Sequence, residues 1–138
     1  MFMYEALLRR AKSQSPIRVG LIGAGKFGSM FLAQVPSTPG LEVVAIADLF
    51  PDQAKATCAS IGWSKELIAQ TSFSDDAVEM MQSVELDVIV EATGDPIVGI
   101  THARHAIANR IHIVMVNVEA DVLAGSFLAQ EAEAAGPA

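Results

Sequence analysis

The 138-residue chain reads as a single α/β domain: a doubly wound parallel sheet in the strand order 3-2-1-4-5, with one extra helix at its amino end. Three observations carry this expectation. Short runs rich in β-branched and apolar residues alternate with stretches of helical spacing, and the connections between them are short. The first such run stops at a glycine cluster, Gly23-Ala24-Gly25-Lys26-Phe27-Gly28, that opens a helix.

Taken in order, residues 3–13 have helical spacing, with Tyr4, Leu7, Leu8 and Ala11 on one side, and Ser13 to Pro16 break it. Ile17–Ile22 is the first strand. The next helix runs from Lys26 to Val35 and is expected to bury Phe27, Met30 and Phe31 before Pro36 and the Pro39-Gly40 turn stop it. Leu41–Ala47 is the second strand and ends at Asp48. Pro51 suits the first turn of a helix whose stripe is Ala54, Cys58 and Ile61, ended by Gly62. A third, short strand is expected at Ile68–Thr71, and a helix capped by Ser74 with Asp75 and Asp76 in its first turn follows it. Leu86–Ala92 is the fourth strand. Asp95 as cap and Pro96 as first residue open a helix that reaches Asn109. Ile111–Val116 is the fifth strand, the loop Asn117 to Ala120 follows, and a helix from Asp121 to Ala135 ends at Gly136-Pro137.

Composition narrows the function. With 51% hydrophobic and 18% charged residues the chain can fill a compact core. Nine basic against sixteen acidic residues give a net charge of −7, which repels nucleic acid and anionic membranes. Cys58 has no partner for an internal disulfide and reads as a small core residue in a reducing compartment. No apolar run is long enough for a bilayer, and the amino end places its basic pair Arg9-Arg10 after the apolar residues, unlike a secretory signal, so a cytoplasmic setting is expected.

The glycine cluster carries the chemistry. A bare GxGxxG is weak, but here a buried strand precedes it, a helix follows, and Asp48 ends the next strand 20 residues after Gly28. Gly23 would allow the sharp turn, Gly25 a close approach of backbone to phosphate, and Gly28 close packing of helix on strand. The free N–H groups of the helix start favour an anion, and the Asp48 carboxylate can accept hydrogen bonds from ribose hydroxyls. In the expected sheet the loops after strands one, four and five open at one carboxyl edge, so Ala92, Thr93, Gly94 and Asn117 join the cofactor-binding residues Gly23, Ala24, Gly25, Lys26, Phe27, Gly28 and Asp48. Glu119, at the end of the fifth strand, is the candidate for substrate-side contact.

At these residues a family comes into view. Ile22 to Gly28, Asp87 to Pro96 and Val114 to Asp121 resemble the N-terminal domain of homoserine-dehydrogenase-like oxidoreductases, and within that group the branch that includes the deoxyxylulose-phosphate-reductoisomerase-like enzymes of bacteria. The resemblance spans nearly the whole chain, and its third motif is far more specific than the glycines. It implies a Rossmann domain at residues 17–138 behind an N-terminal helix and linker at 1–16. It also implies a further catalytic and dimerising region that this chain lacks, so that a longer, homo-oligomeric enzyme would carry the activity and the isolated chain would turn over little. For that branch the resemblance implies NADPH and the reduction and rearrangement of a sugar phosphate in isoprenoid precursor synthesis. Homoserine dehydrogenases usually have Asn-Lys where this chain has Asn117-Val118, so that lysine's role does not carry over. Asp48 suits the free 2′-hydroxyl of NAD and repels the 2′-phosphate of NADP, while Lys26 could offset it; the cofactor is NAD or NADP.

Other polar residues have plainer readings. Glu91 lies inside an apolar strand, where an unpaired carboxylate is costly, so it either reaches the crevice or pairs with a nearby backbone donor. His102 and His105 read as a solvated helix face, His112 as an edge residue, and Trp63, Met80 and Met81 as core or cover; no metal set is expected. Two other functions fit the same glycines: a non-enzymatic dinucleotide sensor using its N-terminal helix to bind a partner, and a fold for another adenosyl ligand such as S-adenosylmethionine.

Overall fold

The structure, a computed structural model, describes residues 2–116 together with 130, 131, 133 and 134. Asn117 to Ala120 lie outside the described residues, and of the last expected helix only those four are described; they are helical, and Glu131 pairs with Arg104 at 3.0 Å.

The elements follow in the order α1 (Phe2–Lys12), β1 (Ile17–Ile22), α2 (Lys26–Gln34), β2 (Leu41–Ala47), α3 (Pro51–Ser60), α4 (Lys65–Gln70), β3 (Ser72–Ser74), α5 (Ala77–Ser83), β4 (Val88–Glu91), α6 (Pro96–Ala108) and β5 (His112–Met115). The five strands form one sheet in the order β3-β2-β1-β4-β5, and every pair is parallel. That is the doubly wound order expected from the alternation of strands and helices. The order reverses beside β1, so the carboxyl ends of β1 and β4 diverge into a cleft.

Alternation along β1 divides the core in two. Val19 and Leu21 face a cluster with Leu32, Val35, Ala54, Cys58 and Trp63, which comes from α2, α3 and the turn after it. Ile22 faces the opposite cluster, with Ala77, Met80, Met81 and Ala106 from α5 and α6. Leu21 and Leu32 are fully buried, each contributing on the order of 2 kcal/mol relative to exposure. Trp63 belongs to the first cluster, its Nε1–H donating to the Leu32 carbonyl at 2.8 Å. Burial pushes the Cys58 thiol up to about 11, so the folded chain carries no thiolate near neutrality.

Four expectations shift. Phe27 and Met30 are 45% and 57% exposed, because α2 turns Gly28 and Leu32 toward the sheet, one position off the expected stripe; Phe31 is partly buried against the core. Residues 65–70 are helical, since the Ser64 side chain accepts from the Leu67 N–H and starts α4; the third strand is Ser72–Ser74 instead. The cap of α5 is Asp76, accepting from the Glu79 N–H at 3.0 Å, while Ser74 ends the strand. Tyr4 and Ala11 are exposed, and α1 meets the body through Leu7, whose backbone lies against Gly40 before β2. Among the described residues no helix is long and apolar enough to cross a membrane.

Candidate functional site

The cleft at the carboxyl edge is a cavity of about 500 Å³, and among the described residues its lining comes from the ends of β1, β2 and β4, the turns that follow them, and the starts of α5 and α6. Gly23 and Gly25 come from the turn after β1, Asp48, Leu49 and Phe50 from the turn after β2, Asp75 and Ala77 from the turn into α5, and Ala92, Thr93 and Asp95 from the turn after β4. Val98 and His102 add the face of α6.

The glycine turn is built by two close approaches. Gly23 has φ of +92°, and a Cβ there would lie 2.9 Å from the Ala92 carbonyl carbon and oxygen; a Cβ on Gly28 would lie 2.2 Å from the Gly23 carbonyl oxygen. Strand, turn and helix therefore pack backbone to backbone. Gly25 differs, having nothing within 4 Å of a notional Cβ, so no packing contact of the fold accounts for its missing side chain. Gly25 is also the N-cap of α2 and supplies no side-chain cap, whereas Ser64, Asp76 and Asp95 cap α4, α5 and α6. The first N–H groups of α2 stay available at the cleft, with the positive end of the helix dipole behind them.

Asp48 ties two turns together. Its Oδ2 accepts from the Ala24 N–H at 2.8 Å and its Oδ1 from the Phe50 N–H at 2.9 Å. Each oxygen keeps lone-pair capacity for a further donor, and the carboxylate lines the cavity beside the glycine turn. Leu49 and Phe50 stand 81% and 64% exposed and, with Val98, give the lining an apolar part.

Glu91 is fully buried at the end of β4. Its Oε1 accepts from the Thr93 N–H at 2.9 Å and the Thr93 hydroxyl at 2.6 Å, and its Oε2 meets His102 Nδ1 at 2.5 Å. Burial acts to raise its pKa, but the hydrogen bonds from His102 and Thr93 and the charge of His102 outweigh it and hold the carboxyl below its ordinary 4.5. Of the two fates expected for this residue, pairing is the one found, and it fixes the Thr93 loop.

The sequence-derived residues thus separate. Gly23, Gly25, Asp48, Ala92 and Thr93 line the cavity; the Ala24 N–H braces Asp48, and Gly28 is buried beneath the turn. Lys26 and Phe27 are exposed on α2 outside the lining, as is Gly94 in the turn after β4. Asn117 and Glu119 lie outside the described residues. His102 corrects its reading as part of a solvated face: its side chain is only 13% exposed, because the buried acid on β4 draws it inward. A buried glutamate at a strand end followed by a histidine on the next helix was the signal for it. Leu49 and Phe50, large apolar residues just after Asp48, were a comparable signal for the apolar part of the lining.

Residues 17–116 match the family model described as "Oxidoreductase family, NAD-binding Rossmann fold", the Gfo/Idh/MocA group. The chain belongs to this family. A curated relative, glycosyl hydrolase family 109 protein 1 of Akkermansia muciniphila, is 31% identical over 83 residues, which is 59% of this chain and 17% of that protein. Among solved structures, homoserine dehydrogenase of Thiobacillus denitrificans superposes with a TM-score of 0.73 at 24% identity, covering 88% of this chain and 28% of that one. Myo-inositol dehydrogenase of Lactobacillus casei, in complex with NAD(H) and myo-inositol, superposes with a TM-score of 0.69 at 17% identity, covering 84% of this chain and 33% of that one. These likenesses establish the fold. The chain spans about a third or less of the length of these proteins. As a family member the domain is an NAD-binding Rossmann domain of an oxidoreductase.

Proposed function

We propose that this chain is the cofactor half of a longer NAD-dependent dehydrogenase, and that it holds the dinucleotide with its pyrophosphate at Gly23–Gly28 and its adenosine ribose at Asp48. The observation that carries the reading is the uncapped start of α2 at Gly25, open on its cleft side, beside a carboxylate with lone pairs to spare. Bound there, the cofactor would supply the hydride acceptor, while the chain binds and orients it. Thr93, locked by Glu91, would border the nicotinamide side; Asn117 is a further cofactor-binding candidate from the sequence. Substrate binding and the groups that polarise the reacting carbonyl would come from elsewhere in the enzyme, in keeping with the small share of its relatives that the chain spans; Glu119 would contribute from this chain. By itself the chain would turn over little, and we place the complete enzyme in the cytoplasm as a homo-oligomer.

The acids favour NAD over NADP. Asp48, Asp75 and Asp95 line the cavity, and among the described residues no Lys or Arg does, so a 2′-phosphate would meet negative charge there. Calorimetric titration is expected to show tighter binding of NADH than of NADPH. The Asp48→Asn variant should narrow that preference by ~10-fold, the equivalent of about one charge-assisted hydrogen bond. Tighter binding of NADPH by the unmodified chain would overturn this assignment.

The motifs at 87–96 and 114–121 support a narrower substrate reading, the reduction and rearrangement of a sugar phosphate. Its test is turnover of deoxyxylulose phosphate by the full-length enzyme with either nicotinamide cofactor; none with either would remove it and leave the dehydrogenase reading standing.

A further inference from the structure

The turn from β4 into α6 lines one side of the crevice with Ala92, Thr93 and Asp95, and α6 continues that side with Val98 and His102. Packing does not hold this turn: Thr93 and Asp95 are exposed, and a Cβ on Gly94 would meet nothing within 4 Å. Hydrogen bonds hold it, and they close on themselves. The Asp95 carboxylate accepts from the first N–H groups of α6, the Asp95 N–H donates to the Thr93 hydroxyl at 3.3 Å, and that hydroxyl donates to Glu91 Oε1 at 2.6 Å. Glu91 Oε2 then meets Nδ1 of His102, further along α6 itself.

The His102 link is the one on which the others depend. Glu91 is fully buried, and a buried carboxylate keeps its place only while its oxygens have donors. An ionised carboxylate can only accept, so the Nδ1–H of His102 is the donor, whether or not the other ring nitrogen also carries a proton. With that donor gone, Oε2 is orphaned, and turning toward water in the crevice would take Oε1 away from Thr93.

These residues lie across β1 from Asp48. Glu91 ends β4, which flanks β1 on the side opposite β2, and α6 packs on β4 and β5. A doubly wound sheet divides a dinucleotide at this switch, one mononucleotide to each side. With the adenosine ribose at Asp48, the Thr93 turn faces the nicotinamide half.

We propose that His102 is a positioning residue for the nicotinamide half of the cofactor: through Glu91 it keeps the Thr93 turn in the shape against which that half is placed, and it has no part in holding the adenosine half. The proposal rests on the NAD-binding reading and deepens it. Calorimetry on the purified chain compares NADH with ADP, which carries both phosphates but no nicotinamide riboside. NADH is expected to bind more tightly than ADP, and His102→Ala to weaken NADH ~10-fold, the equivalent of one hydrogen bond, while leaving ADP unchanged. His102→Asn, which keeps an N–H donor near the Nδ1 position, should recover part of that loss. Amide hydrogen exchange supplies a second readout: in the unmodified chain, saturation with NADH should slow exchange at the Thr93 N–H, and saturation with ADP should not.

Equal weakening of NADH and ADP, no weakening of either, an asparagine variant no better than alanine, or a Thr93 amide that both ligands treat alike would each overturn the proposal. The exchange result needs no variant and stands even if His102→Ala fails to fold. Should the unmodified chain bind neither NADH nor ADP, the NAD reading falls along with it, whereas tight NADH binding that is indifferent to His102 removes this inference alone.

Discussion

Gly28→Ala is expected to cost on the order of 3 kcal/mol of stability and to lower Tm by roughly 10 °C. The added Cβ would sit 2.2 Å from the Gly23 carbonyl oxygen, a backbone atom that can move only if β1, the turn and α2 separate. Overpacking against a flexible side chain relaxes by a rotamer change; here there is no rotamer to change. Gly25→Ala is the informative contrast. With nothing within 4 Å of its Cβ, it should leave Tm within about 1 °C, since surface changes away from such features are nearly neutral, while filling the space that a pyrophosphate would approach. Thermal denaturation of the two variants, each with and without NADH, separates the glycine that builds the turn from the glycine that serves the ligand. Equal melting temperatures for both variants would contradict the division.

The second large effect belongs to Glu91. Glu91→Ala removes the acceptor for the Thr93 N–H, the Thr93 hydroxyl and His102 Nδ1 together, and breaking a buried pair in this way costs about 3 kcal/mol or more. Glu91→Gln keeps an oxygen for Thr93 and should lose much less. The acid dependence follows from the lowered pKa of the folded state. On acidification the unfolded chain takes up this proton first, near 4.5, so the contribution of Glu91 is fully present above that value and is lost as pH falls through the lower folded value. The stability gap between the unmodified chain and Glu91→Gln, measured by urea denaturation, should therefore be constant from pH 7 to about 5.5 and shrink below about 4.5. A gap that widens on acidification would mean that Glu91 is protonated in the native state.

The sequence was legible wherever one local rule decided the outcome. Asp95 followed by Pro96 does cap and open α6, with Oδ1 accepting from the Ile97 and Val98 N–H groups at 3.0 Å. Alternation of strands and helices was enough to give the sheet order, because right-handed crossovers leave few alternatives. It failed where tertiary contact chose among local options. Ile68 has strand propensity, but Ser64 had already started a helix ahead of it. The burying face of α2 was set by the need to bring Gly28 against Gly23, which places Phe27 and Met30 outward, and no period in the residues themselves reports that. At the site, the placement of Asp48 beside the glycine turn was legible because it depends on spacing along the chain. The Glu91–His102 pair was not, because its partners are joined by the packing of α6 over β4.

The most direct test of a dinucleotide crevice at Gly23–Gly28 and Asp48 is the melting temperature of the 138-residue chain as a function of NADH concentration. Binding to the native state alone predicts a rise that continues with concentration, about 2.7 kcal/mol of added stability at a hundredfold excess over Kd, and its loss in Gly25→Val. A melting temperature indifferent to NADH, or one raised instead by S-adenosylmethionine, would contradict the account.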